Sequence, residues 1–150
     1  MKTLLTAALI SLIAIAGCSQ SKVADSDEEK LRVARSMVEA WNTLDWEQVY
    51  DLFTEDGVLH SVMHEPVVGR PAIRERLDYL EKGVDRIELQ IRHMGVIDGV
   101  VFMERVDDFE FNGRHGEVPV VGVLEIKDGK VAEWREYYDR ATLERAVAPE

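Results

Sequence analysis

An arginine and two carboxylates stand where the sequence otherwise asks for apolar side chains. Glu104-Arg105-Val106-Asp107 lies inside the strand-like stretch Val101–Phe111, and Trp134-Arg135-Glu136-Tyr137-Tyr138-Asp139 lies inside a second such stretch, Val131–Asp139. Strand side chains alternate between faces, so Met103, Arg105, Asp107, Phe109 and Phe111 share one face of the first. On the second, Ala132, Trp134, Glu136 and Tyr138 share a face. Charges on an apolar face are costly unless they pair. A guanidinium beside carboxylates in a concave sheet is a candidate acid/base site, and a carboxylate among aromatic rings is in a setting that raises its pKa. The plainer alternative is an ion pair that only fixes the sheet.

Other residue types offer less chemistry. His60, His64, His93 and His115 show no metal-ligand spacing; the first two are four apart, but across a strand and a proline-containing loop rather than on a helix face. No metal and no cofactor is expected. His64 reads as a surface-loop histidine near the rim, with proton carriage as the alternative. Trp41, Trp46 and Trp134 read as packing residues and Arg70 as an exposed helix start. Cys18 is the single cysteine, so no internal disulfide, cysteine zinc site or cysteine nucleophile is available to the domain.

The elements that must position these groups follow from caps and periodicity. Ser26-Asp27-Glu28-Glu29 has capping-box spacing and opens a helix with Leu31, Ala34, Val38 and Trp41 on one stripe. Asp45 caps a short second helix whose Trp46, Val49, Leu52 and Phe53 face inward. Glu55-Asp56-Gly57 turns into a strand over Val58–Val62. After the loop Met63–Pro66, Gly69-Arg70-Pro71 starts a third helix with the stripe Ile73, Leu77, Leu80, ended by Gly83. The period then changes to two, and Asp98-Gly99, Asn112-Gly113 and Asp128-Gly129 separate four strands as hairpin turns. Three helices before a curved antiparallel sheet predict an α+β cone, with the open end of the cone as the pocket.

The first residues are read as an address, not as fold. Lys2, the apolar run Leu4–Gly17 and Ala16-Gly17-Cys18 resemble a bacterial lipoprotein signal over residues 1–17. Cys18 is then the lipidated residue, residues 18–27 a polar tether, and residues 28–150 the single domain. The expected location is exported, anchored by lipid to a bacterial membrane, with Ser19 favouring the periplasmic side of the outer membrane. A net charge of −11 argues against nucleic acid and anionic lipid headgroups and leaves a small apolar molecule as the expected partner.

From about Leu31 to Val147 the chain resembles the limonene-1,2-epoxide hydrolase family, within the SnoaL-like and nuclear transport factor 2-like fold group. The resemblance rests on Ala40-Trp41-Asn42, Glu65-Pro66-Val67-Val68-Gly69-Arg70, Glu104-Arg105-Val106-Asp107, Val121-Gly122-Val123 and the Trp134–Asp139 segment. It implies a metal-free, one-step epoxide opening in which one carboxylate activates water, a second protonates the epoxide oxygen, and an arginine bridges them. Arg105 and Asp107 match the arginine and the acid. The base position falls on Glu136, where the family has aspartate; one methylene shifts a carboxylate by on the order of 1 Å, which can cost roughly a hundredfold. The family's water-holding tyrosine and asparagine fall on Leu59 and Ser61, and only the serine can hydrogen-bond. Asp139 is a further carboxylate that could substitute if the strand twists. The resemblance also implies a homodimer through the outer face of the sheet, with Val118, Val120 and Gly122 on a strand apolar on both sides. The same cone could instead serve as a non-catalytic binding module, or as a polyketide-cyclase-like or isomerase-like enzyme.

Overall fold

Both charged strands lie inside one six-stranded sheet in the computed structural model, which describes residues 25–148. Its elements run α1 Asp27–Asn42, α2 Trp46–Asp51, β1 Phe53–Ser61, β2 Val67–Val68, α3 Arg70–Gly83, β3 Val84–Ile97, β4 Val100–Phe111, β5 Arg114–Lys127, β6 Lys130–Tyr138 and α4 Arg140–Val147. The strand order is β2-β1-β6-β5-β4-β3. Every pairing is antiparallel except that of β1 with β6. The α+β class and the curved, mostly antiparallel sheet are as the sequence predicts. The signal, Cys18 and most of the tether lie outside the described residues.

Local chemistry explains the boundaries. Ser26 caps α1, its Oγ accepting from the Glu29 N–H at 3.2 Å, and Asp45 caps α2 by accepting from the Gln48 N–H at 3.1 Å. Asp25 belongs to the fold rather than to a loose tether, since its carboxylate accepts from the Gly129 N–H at 3.0 Å. All three Asx-Gly turns carry positive φ at both residues, from 50° to 79°. That pattern suits the right-handed twist of the strands they join, so the meander β3-β4-β5-β6 has its register fixed by sequence.

Three details differ from expectation. Phe53 is the first residue of β1 rather than the end of α2, because its ring is buried against Trp134 with centroids 6.5 Å apart. The turn Glu55-Asp56-Gly57 does not precede the strand but bulges within it: Phe53 pairs with Val131 and Val58 already pairs with Glu133. A fourth helix, α4, follows the sheet. Asp139 is its N-cap, accepting from the Ala141 and Thr142 N–H groups at 2.9 and 3.4 Å, so it faces solvent and does not join the buried carboxylates.

Two apolar clusters hold the fold. The larger joins α1, α2 and α3 to the sheet through Ala34, Met37, Val49, Leu77, Met103, Leu124 and Trp134; the smaller joins Phe109, Phe111, Val118 and Val120 to Leu143, Ala146 and Val147. Asn42 ties α1 to the sheet by accepting from the Leu89 N–H at 2.7 Å, and Leu89 is the register partner of Asp107.

Candidate active site

Arg105 is 2% exposed and is the one charged side chain among the described residues that is buried outright. Its Nε donates to Asp107 Oδ1 at 2.7 Å and its Nη2 to Asp107 Oδ2 at 3.0 Å. Nη2 also donates to Glu136 Oε1 across β5. The three residues that the sequence singles out from two separate strands therefore meet in one cluster. The bidentate fork fixes the plane of the Asp107 carboxylate.

The bridge depends on Gly122. This residue pairs with Met103 on one side and with Glu136 on the other, so it lies beneath the path of the guanidinium. A Cβ at Gly122 would fall 2.5 Å from Arg105 Nη1 and 3.2 Å from Trp134 Nε1. Only glycine lets the guanidinium lie that close to β5. The Trp134 ring packs nearby, its centroid 5.5 Å from Arg105 Cζ.

Burial pushes the Asp107 carboxyl from 3.8 up to about 6, against the pull of Arg105, and the Glu136 carboxylate adds to the rise. For Arg105 burial acts to lower the pKa, but the two carboxylates outweigh it and hold the guanidinium charged. The cluster thus keeps a fixed cation beside a carboxyl that exchanges its proton in the neutral range, which is the arrangement acid/base chemistry needs.

A cavity of about 260 Å³ opens above these groups, in the gap between the two apolar clusters. Asp107 and Glu136 line it together with Trp41, Trp134, Phe109 and Tyr138. Leu59 and Ser61 line it as well, beside Trp134 and Glu136 in the β1–β6 register. Ser61 thus brings a hydroxyl next to Glu136, whereas Leu59 adds only apolar wall. Val118 and Val120 also line the cavity, so they and Gly122 belong to its inner surface and do not form an outer dimer face. The outer face of β5 carries Val121 instead. His60 points away from the cavity, its Nε2 donating to the His64 carbonyl at 3.1 Å, while His64 lines the rim.

The sequence reading missed Leu143 and Val147 of α4 and Arg76 and Tyr79 of α3, all of which line the cavity. A signal for α4 was present in Asp139 as a cap followed by Leu143 and Val147 four apart. Trp41 and Trp134 both pack the core and line the cavity. Arg70 is not merely exposed: its Nη2 donates to the Phe53 carbonyl at 2.9 Å, joining α3 to β1. On the outer face Asp108, His115 and Glu117 place potential ligand atoms within 4.8 Å of one another. Asp108 is already bonded there to Arg86 and His115.

This architecture, a curved sheet with helices packed on it, is shared with solved structures of low sequence identity. An LEH-like epoxide hydrolase from M. tuberculosis is 23% identical, with a TM-score of 0.71, covering 81% of this chain and 90% of that one. A proposed SnoaL-like polyketide cyclase from Shewanella putrefaciens CN-32 is 18% identical, with a TM-score of 0.72, covering 83% and 98%. A protein of ketosteroid isomerase-like fold from Catenulispora acidiphila is 16% identical, with a TM-score of 0.69, covering 79% and 93%. At such identities the likeness is one of fold. Residues 34–134 match the model of the SnoaL-like domain, and the chain belongs to that family.

Proposed function

We propose that the protein is a cofactor-independent hydrolase of a small apolar epoxide, with Glu136 as base, Asp107 as acid and Arg105 as the bridge. The observation that carries this reading is the buried Arg105, bonded at once to two carboxylates that both line an apolar cavity. Glu136 takes a proton from water, and the water oxygen forms a bond to an epoxide carbon. The carbon–oxygen bond breaks, and the epoxide oxygen takes the proton held by Asp107, giving a vicinal diol. Proton return from Glu136 to Asp107 restores the site. Burial of Asp107 supports its role as acid, because it keeps a share of the carboxyl protonated near neutral pH. The same reading includes anchoring through Cys18 at a bacterial membrane and pairing of two copies, both supported by sequence resemblance alone.

Hydrolysis of terpene and styrene-type epoxides by wild type, Asp107→Asn and Glu136→Gln tests the assignment. Turnover by wild type, lowered at least a hundredfold in both variants with folding intact, supports it. Turnover that survives both substitutions sinks it.

A second reading draws on Leu59. The family resemblance puts a water-holding tyrosine there, and an apolar wall suits a non-catalytic binding module, or an isomerase-like or cyclase-like enzyme that needs no nucleophilic water. A folded wild type that binds apolar ligands and opens no epoxide would favour it. Leu59→Tyr with Ser61→Asn separates the two, because only a hydrolase with a weakened water site gains turnover from them.

A further inference from the structure

The rim of the cavity differs in character from its floor. His64 and Glu65 contribute from the loop after β1, and Arg76 and Tyr79 from α3. The Tyr79 ring packs on Phe111, with centroids 5.0 Å apart, which fixes this face of α3 against the apolar wall. Arg76 is exposed, lines the cavity, and makes no hydrogen bond or ion pair among the described residues.

That isolation is notable in this chain. Asp and Glu number 29 against 18 Lys and Arg, so carboxylate partners are plentiful. Arg74, two residues earlier on the same helix, has found one: its two terminal nitrogens donate to Glu47 at 2.6 and 2.7 Å, and it lies 4.1 Å over the Tyr50 ring. Arg105, buried beneath the two carboxylates that line the cavity, is bound to both of them. Among the described residues, only Arg76 brings an arginine fork to the cavity with its donors uncommitted. A guanidinium matches the planar geometry of a carboxylate, and at a wet rim the pair forms without burying charge.

We propose that Arg76 is a specificity-determining residue that receives the carboxylate head of an amphipathic substrate whose apolar body fills the cavity. The reactive group then lies at the Asp107–Glu136 end, and this orientation alone rests on the proposed function. The acidic surface repels such a substrate in bulk, so the local cation makes the difference at the entrance.

Trp41 and Trp134 line the cavity, so their fluorescence reports binding directly. The full chain, kept soluble in amphipol, would be titrated with cyclohexanecarboxylate and with cyclohexylmethanol, which differ chiefly in charge. Wild type is expected to bind the acid about two- to fivefold more tightly, the range of an exposed ion pair, with the preference fading at high salt. Arg76→Gln should abolish or reverse the preference without changing affinity for the alcohol, and Arg76→Lys should keep part of it. Equal affinities in wild type, a preference that survives Arg76→Gln, or binding of neither probe would overturn the proposal. Because the readout is binding, absent epoxide turnover leaves this test intact. Asp107→Asn should keep the preference even where it loses turnover.

Discussion

Asp107 and Asp108 are adjacent in sequence, each is bonded to an arginine, and their side chains are almost equally exposed, at 17% and 16%. They nevertheless shift in opposite directions. Burial raises Asp107 to about 6, while the hydrogen bond from Arg86 lowers Asp108 below its ordinary range. The difference lies in the partners. Arg105 is 2% exposed and is shared with a second carboxylate, whereas Arg86 is 46% exposed and the other neighbours of Asp108 are the exposed His115 and Gln90. A single step along the strand puts the same pair of residue types beneath the fold or in solvent. Depth under the fold, more than the accessible surface of the carboxylate itself, decides whether an aspartate is a proton donor or a solvated anion.

The largest expected contrast comes from removing the two arginines one at a time. Arg105→Gln should abolish turnover and destabilise the fold by about 3–5 kcal/mol, because it strands two carboxylates inside the protein. Arg86→Gln should cost less than about 1 kcal/mol. Chemical denaturation of both variants checks the pair, and equal costs would erase the distinction drawn here.

Substituting the aspartates comes next. Asp107→Asn should lower kcat/KM at least a hundredfold, and Asp108→Asn less than about twofold. Steady-state kinetics on an epoxide turned over by wild type decides between them.

A pH series sharpens the contrast by sign. If protonated Asp107 is the acid, kcat/KM falls about tenfold per unit above about pH 6. For stability, the Asp107 contribution is fully present below 3.8 and is lost as pH rises through about 6, since the unfolded chain releases the proton first. Asp108 has the reverse sign, contributing above 3.8 and losing that contribution as pH falls. Melting temperature against pH should therefore lose its decline between about 4 and 6 in Asp107→Asn, and lose part of its acid-side decline in Asp108→Asn.

The smallest contrast concerns the strand under the bridge. Gly122→Ala should displace the guanidinium, cost about 1–3 kcal/mol and slow turnover severalfold. Gly95→Ala, where a Cβ would meet nothing within 4 Å, should be close to neutral. Thermal melts of both separate close approach from the general cost of altering a strand glycine.

Much of this could be read in advance, for physical reasons that also mark the limit. Arg105 and Asp107 were visible because period two places them on an apolar face, and Glu136 because aromatic residues surround it. The three Asx-Gly turns were visible because the positive φ they require is a local demand. The bulge in β1 was not, because Phe53 leaves α2 for a distant ring, Trp134, that local pattern does not reveal. Nor was α4: Asp139 ended a recognisable strand motif, which hid its second role as a cap. That Arg76 has no partner among the described residues depends on what α3 packs against, and no spacing rule expresses that.

The parallel pairing of β1 with β6 has a consequence for the order of assembly. β1 is the first strand made and β6 the last, and apart from the two-residue β2 the early strand has no other neighbour in the sheet. Ribosomal synthesis therefore delivers Leu59 and Ser61 long before the strand that seats them, and Arg105 before the glutamate it must reach. Contacts so distant along the chain form slowly, and the unpaired edge of β1 is exposed meanwhile. Until the last strand docks the chain has no working pocket, so a truncation before Lys130 would leave β1 and Arg105 without the partners that complete the site.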